Sequence, residues 1–301
     1  MENSGFDRVA VQLPLYRDKL LELPALIKEQ ICDIRLKIGQ PVTLFGREGP
    51  MFLRDSGSIA RSLGPGLVIV NQSALQEVFL HICGHSVFSH ENEIRQGYVQ
   101  MPGGVRAGLC GTAVLEKGRV RGMRDISSLV FRVPRDVPGC ADRLFRSGID
   151  PARGLLLAGE PGSGKTTLLR EIARVLSVGQ FTPCRRVAVL DSRGELGSGF
   201  DLGPCADVLQ GFPKERAFGM ALRTLSPEVI VCDELSPQDL GSVRQSAYAG
   251  VGLVATVHGG RDHAASRPLC RKLLQTGGFA YFATLRGRDS PCRLQRVEAL
   301  G

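Results

Sequence analysis

Residues 159–166 read Gly159-Glu160-Pro161-Gly162-Ser163-Gly164-Lys165-Thr166, which fits the pattern G-x-x-x-x-G-K-[ST] in full. Glycines at this spacing let backbone N–H groups turn inward around phosphate oxygens, and a helix starting directly behind them adds the partial positive charge of its N-terminus. The lysine of such a loop reaches the β- and γ-phosphates of a triphosphate, and the hydroxyl after it ligates Mg²⁺. Here these are Lys165 and Thr166, with Thr167 beside them among the nucleotide-binding candidates. The flanks agree: GLLLAG (154–159) enters the loop as an apolar strand, and TTLLREIARVL leaves it as an amphipathic helix. The expected cofactors are ATP and Mg²⁺.

A phosphate loop of this kind needs an acid on the metal side, at the end of another buried strand. VIVCDE (229–234) supplies one. Asp233 is expected to hold Mg²⁺ through its water shell and Glu234 to polarise the attacking water. An acid directly after the metal-side aspartate, with room for an extra strand (186–191) between the motifs, points to ATP hydrolysis rather than phosphorylation of a small acceptor. Asp191 and Glu195, at the close of that extra strand, are further acids that could face the γ-phosphate, and Glu195 stays an alternative to Glu234 as base. His258, in Thr256-Val257-His258-Gly259, either contacts the γ-phosphate or its water through a ring N–H, or makes an ordinary structural hydrogen bond. His81, Cys83, His85 and His90 lie close in sequence, yet no second acid or cysteine pair accompanies them, and they read as helix-surface residues rather than a zinc site.

These groups must be carried by elements, and the second half of the chain provides them in alternation. Strands are expected at 154–159, 186–191, 229–234, 252–258 and 279–287, with helices at 164–177, 213–225, 237–249 and 264–276. Near-continuous apolar strands separated by helices predict an α/β domain with a mostly parallel sheet covered on both faces. The carboxyl ends of such strands border one ligand crevice. The first half reads as a smaller α+β domain: a helix within 13–31, a hairpin around Gly39-Gln40-Pro41, a helix over 73–88, and two or three strands across 96–120. Basic residues gather from Lys117 to Arg135, and this stretch is expected to connect a domain at 1–135 to one at 136–301.

The chain has 301 residues, 43% hydrophobic and 23% charged, which excludes disorder as its main state. A formal net charge of +8 favours an anionic partner without choosing among nucleotide, nucleic acid and acidic membrane. The nine cysteines include no C-x-x-C pair and several sit in apolar runs, which reads as small core residues in a reducing compartment. No signal-peptide pattern opens the sequence, and no apolar run reaches the roughly 18 residues of a membrane span. The expectation is a cytoplasmic protein.

With these motifs in place the chain resembles the stage III sporulation protein AA family, relatives of the type II and type IV secretion ATPases. The resemblance rests on Ile34-Arg35-Leu36-Lys37-Ile38-Gly39-Gln40-Pro41, Arg95-Gln96-Gly97-Tyr98 and Gly103-Gly104-Val105-Arg106-Ala107-Gly108. It continues through Ile126-Ser127-Ser128-Leu129, Gly139-Cys140, Asp191-x-Arg193-x-Glu195, Arg223-x-x-Ser226-Pro227 and the loop and acid motifs above. It implies a RecA-like ATPase core behind an N-terminal domain, assembled as a homo-hexamer. Nucleotide then lies between subunits or domains, and arginines from outside the core complete the site; Arg132 and Arg135, then Arg106, are the candidates. It further implies work on membrane-embedded channel proteins during endospore formation, at the mother-cell membrane. Ser192 and Leu235-Ser236-Pro237 depart from the family's usual acid and Ile-Gly-Arg. Two other readings fit a RecA-like core: a nucleic-acid-dependent ATPase, disfavoured because aromatics are only 6% and no basic stripe is interleaved with them for base stacking, and a nucleotide-gated scaffold with little turnover.

Overall fold

The hairpin expected around Gly39-Gln40-Pro41 forms, and an antiparallel sheet is built on it. In this computed structural model the described residues are 5–46, 48–101, 105–134, 137–259 and 268–300. The chain divides into two compact units, Met1–Arg135 and Asp136–Gly301. The first begins with three short helices, α1 (Gly5–Ala10), α2 (Arg17–Leu21) and α3 (Ala25–Lys28), followed by β1 (Ile31–Lys37), β2 (Thr43–Gly46), β3 (Gly49–Leu53) and β4 (Ile59–Ala60). After α4 (Gln72–Ile82) and α5 (Glu91–Arg95) come β5 (Tyr98–Gln100), β6 (Arg106–Glu116) and β7 (Arg119–Arg132). The strand order is β4-β3-β2-β1-β7-β6-β5, and each neighbouring pair is antiparallel.

Two expectations for this unit need correction. The single helix within 13–31 is broken into α2 and α3, because Pro24 serves as the N-cap of α3 in extended backbone and cannot continue the helix before it. Most of the basic stretch expected as a connector is strand: beyond the turn at Lys117 and Gly118, residues 119–132 are β7, paired on one side with β1 and on the other with β6, and Arg135 lies outside the described residues. The reason is period-two patterning. Leu129, Phe131 and Val133 alternate into the core, leaving Arg132 on the exposed face. Nearer its turn the β6–β7 hairpin leaves the core altogether, and residues 110–121 are exposed on both faces.

The second unit opens with α6 (Asp142–Arg146), then β8 (Leu155–Gly159), α7 (Lys165–Val178), β9 (Val187–Asp191) and β10 (Ala206–Gln210). It continues through α8 (Lys214–Met220), β11 (Val229–Cys232), α9 (Leu240–Tyr248), β12 (Gly252–His258), α10 (Pro268–Leu274), β13 (Tyr281–Leu285) and β14 (Leu294–Ala299). The order is β10-β9-β11-β12-β8-β13-β14, parallel throughout except for β14, which runs antiparallel to β13. Successive residues of one strand enter opposite cores. Leu155 and Leu157 join Leu168, Leu169 and Ile172 of α7, while Leu156 and Ala158 join Phe218, Val243 and Leu273 of α8, α9 and α10. Both faces are thereby covered, as the continuous apolar strands require. The edge strands β10 and β14, half-exposed and mixed in composition, lie outside the five expected strands. Residues 264–267 of the last expected helix lie outside the described residues.

Candidate functional site

β8 is buried along its whole length and ends at Gly159. The chain then turns through Gly162 and Gly164, at φ 80° and 88°, a region that glycine enters without a Cβ penalty. Gly164 is the N-cap of α7. A Cβ on Gly159 would lie 2.5 Å from Ser163 Oγ, and one on Gly164 would lie 2.6 Å from the Cys292 nitrogen and sulfur. The loop therefore closes tightly only with glycine at these places. Ser163 is fully buried, and among the described residues its hydroxyl has no hydrogen-bond partner.

Lys165 Nζ donates to the carbonyl oxygens of Gly159 at 2.8 Å and Glu160 at 3.1 Å, folded back over the loop's own backbone. Burial pushes its ammonium below the ordinary lysine range, and the charges of Glu234 and Asp233 pull it back up. Those acids are thus its electrostatic neighbours. The topology explains how: β12 lies between β8 and β11, with His258 beside Gly159 and Ala255 beside Cys232. One strand separates the phosphate loop from the acidic pair, an interval of about 10 Å between β8 and β11 at two interstrand spacings.

Asp233 is nearly buried and its Oδ1 accepts the Glu234 N–H at 2.7 Å. Glu234 Oε1 lies 2.9 Å from His258 Nε2, and Oε2 lies 3.6 Å from Arg193 Nη1. Asp191 is placed differently from its reading as a phosphate-facing acid. It is fully buried and both carboxylate oxygens accept backbone N–H groups, from Glu195 at 2.8 Å, Leu196 at 3.0 Å and Gly197 at 2.9 Å. It shapes the loop that carries Glu195, which is itself half-buried.

Two cations near these groups escaped sequence reasoning. Lys214 Nζ, from the first turn of α8, donates to the Asp233 carbonyl at 3.0 Å and to that of Glu234. Arg288, on the β13–β14 connection, donates through Nε to the Pro161 carbonyl at 2.8 Å. Nothing in the local sequence of either residue marks it, since each meets its partner across a long separation. Of the arginines, Arg132 lies opposite Arg106 on β6 and Asp33 on β1, and Arg106 stacks over the Tyr98 ring at 4.4 Å. Arg135 lies outside the described residues. His81 and His85 meet edge to face at 6.4 Å, and His90 pairs with Glu93 at 3.2 Å.

The donor set suits nucleotide with Mg²⁺. The loop offers glycines where a Cβ would clash, a lysine and a buried serine hydroxyl, while Thr166 and Asp233 carry hard oxygen atoms of the kind magnesium takes.

The family model for sporulation stage III, protein AA, matches residues 8–299. The chain belongs to that family. The stage III sporulation protein AA of Bacillus subtilis (strain 168) is 28% identical over 292 residues, covering 93% of this chain and 91% of the relative. The uncharacterized protein ycf45 of Porphyra purpurea is 34% identical over 153 residues, 47% of this chain but only 26% of its own. Among solved structures, the Legionella pneumophila ATPase DotB superposes with a TM-score of 0.55 at 18% identity, covering 90% of this chain and 75% of its own. The pilus retraction motor PilT with bound ADP gives 0.53 at 18% identity, with 87% and 78% covered. At this identity the likeness shows the fold, a RecA-like P-loop core within a mixed α/β chain. Among the described residues no helix is long and apolar enough to cross a membrane.

Proposed function

We propose that the chain binds ATP with Mg²⁺ at residues 159–167 and hydrolyses it, and that a ring of copies, a hexamer, uses the turnover to drive a membrane-embedded channel during endospore formation. One observation carries the reading: Lys165 and the pair Asp233–Glu234 share the carboxyl edge of one sheet, a single strand apart, with His258 on Glu234. In this reading Lys165 exchanges its bonds to the Gly159 and Glu160 carbonyls for phosphate oxygens. Thr166 and Asp233 hold the magnesium ion, which when bound neutralises charge on the phosphates. Glu234 takes the proton of the attacking water, and His258 fixes the orientation of its carboxylate. Glu234 is preferred to Glu195 as base because its charge, with that of Asp233, acts on Lys165. Arg132 of one subunit is proposed to reach the nucleotide of another, as family membership and an exposed strand-end position support.

The test is Lys165→Ala in the full chain. Binding of a fluorescent ATP analogue with Mg²⁺ should weaken roughly tenfold or more, because the charge-assisted contacts to phosphate are lost. Phosphate release should fall with it, and a sporulating strain carrying the variant should fail to complete spores. Unchanged nucleotide binding would overturn the site. A phosphate-release rate that rises with single-stranded DNA would favour the nucleic-acid-dependent reading over the channel.

A further inference from the structure

The nine cysteines are not uniformly core residues: only Cys83, Cys232 and Cys270 are buried. Two of the others meet at the phosphate loop from opposite ends of the second unit. Cys292, on the β13–β14 connection, donates its backbone N–H to the Ser163 carbonyl at 2.8 Å and its thiol to the Gly164 carbonyl at 3.5 Å. Cys140, ahead of α6, donates its thiol to the Thr167 carbonyl at 3.9 Å in the first turn of α7. The two thiols thus lie against carbonyls one helical turn apart on the same helix start, and each shifts the other's ionisation. Cys292 also holds φ at 62°, a left-handed conformation in which glycine would be unstrained. A cysteine in that strained conformation points to a use for its sulfur.

We propose that Cys140 and Cys292 are a peroxide-sensitive dithiol whose disulfide closes the phosphate loop to nucleotide. The inference rests on the nucleotide reading of residues 159–167. Cys292 is the attacking sulfur: the Cys140 thiol holds the Cys292 thiol below the ordinary cysteine range, and the Arg170 charge and Thr167 act in the same direction against burial. Both cysteines are partly exposed, which leaves an approach for an oxidant as small as hydrogen peroxide.

The chemistry balances with hydrogen peroxide as oxidant. The Cys292 thiolate attacks one peroxide oxygen and the O–O bond breaks, giving a sulfenic acid and hydroxide, which takes up the thiol's proton as water. The Cys140 sulfur then attacks the Cys292 sulfur. The S–S bond forms, the S–O bond breaks, and the departing hydroxide leaves as water with the Cys140 proton. Two thiols lose two electrons in all, and one peroxide becomes two waters. An S–S bond of about 2.05 Å is far shorter than a thiol hydrogen bond. Closing it draws the β13–β14 connection toward Cys140 and pulls on Ser163, Gly164 and Thr167, the backbone that must cradle phosphate.

A second thiol pair supplies the comparison. Cys184 and Cys205 lie 3.3 Å apart beyond the C-terminal end of α7, near the Ser177 carbonyl, and touch nothing in the phosphate loop. The experiment uses the full chain carrying C32S, C110S, C184S and C205S, so that of the cysteines with exposed surface only the proposed pair remains. Reduced protein is treated with hydrogen peroxide, mapped for a Cys140–Cys292 link by peptide mass, and titrated with a fluorescent ATP analogue and Mg²⁺. The link should form and binding weaken roughly tenfold or more, since a displacement near 1 Å is enough to spoil such a site. A dithiol reductant should restore both, and adding C140S should abolish the link and the loss of binding. No link, a link without loss of binding, or equal loss with C140S each overturns the switch. Reduced protein that does not bind nucleotide overturns the nucleotide reading, and the switch with it.

Discussion

The Glu234 carboxylate lies 2.9 Å from His258 Nε2 and 3.6 Å from Arg193 Nη1, so glutamine at 234 keeps the side chain's shape while removing its proton affinity. Glu234→Gln should leave ATP binding intact and lower phosphate release by roughly 10²- to 10⁴-fold, the usual worth of a positioned base. Glu195→Gln should lower it much less; single-turnover phosphate release on both variants reads the difference, and the reverse ranking would move the base to Glu195. At this scale the sequence was legible wherever the groups are contiguous. Residues 159–167 announce themselves because the whole pattern is contiguous, in one loop and one helix start. Lys214 and Arg288 did not, since their partners lie 19–20 and 127 positions away and nothing local records the meeting. Asp191 was misread because a carboxylate at a strand end looks the same in sequence whether it faces phosphate or caps a loop.

Among elements, the loop after β9 depends on one buried acid. Asp191 satisfies three backbone N–H groups at once, and Asp191→Ala strands them. The expected cost is about 1–3 kcal/mol, read as a lower urea midpoint. A second cost should appear in hydrogen exchange, with protection lost first at residues 195–197. If exchange there is unchanged, the cap is not what holds the loop. The interior strands β8, β9, β11, β12 and β13 were readable because burial on both faces leaves a continuous apolar run. β10 and β14 sit at the edges with mixed exposure and carry no such run. In the first unit, charge density along β7 masked its alternation. Four arginines between 119 and 132 suggested a solvated link, while Leu129, Phe131 and Val133 already marked the buried face.

At the scale of the whole molecule, each unit has hydrophobic clusters of its own. One runs from Phe6 to Val133; the other two cover the faces of the parallel sheet. A fragment of residues 137–301 should therefore fold alone, with a cooperative urea transition by circular dichroism. It should also retain ATP binding within about threefold, the ordinary scatter of context effects, since the loop and both acids belong to it. A molten fragment would show that the parallel sheet needs the first half of the chain to fold.

The β6–β7 hairpin has a consequence of a practical kind. Its outer residues are exposed, and its turn at Lys117 and Gly118 already sits in left-handed backbone. The chain can thus be lengthened there without disturbing either core. A peptide epitope or a short fluorophore-binding sequence spliced between those two residues gives the chain a handle at a known place, through which its state of assembly can be measured.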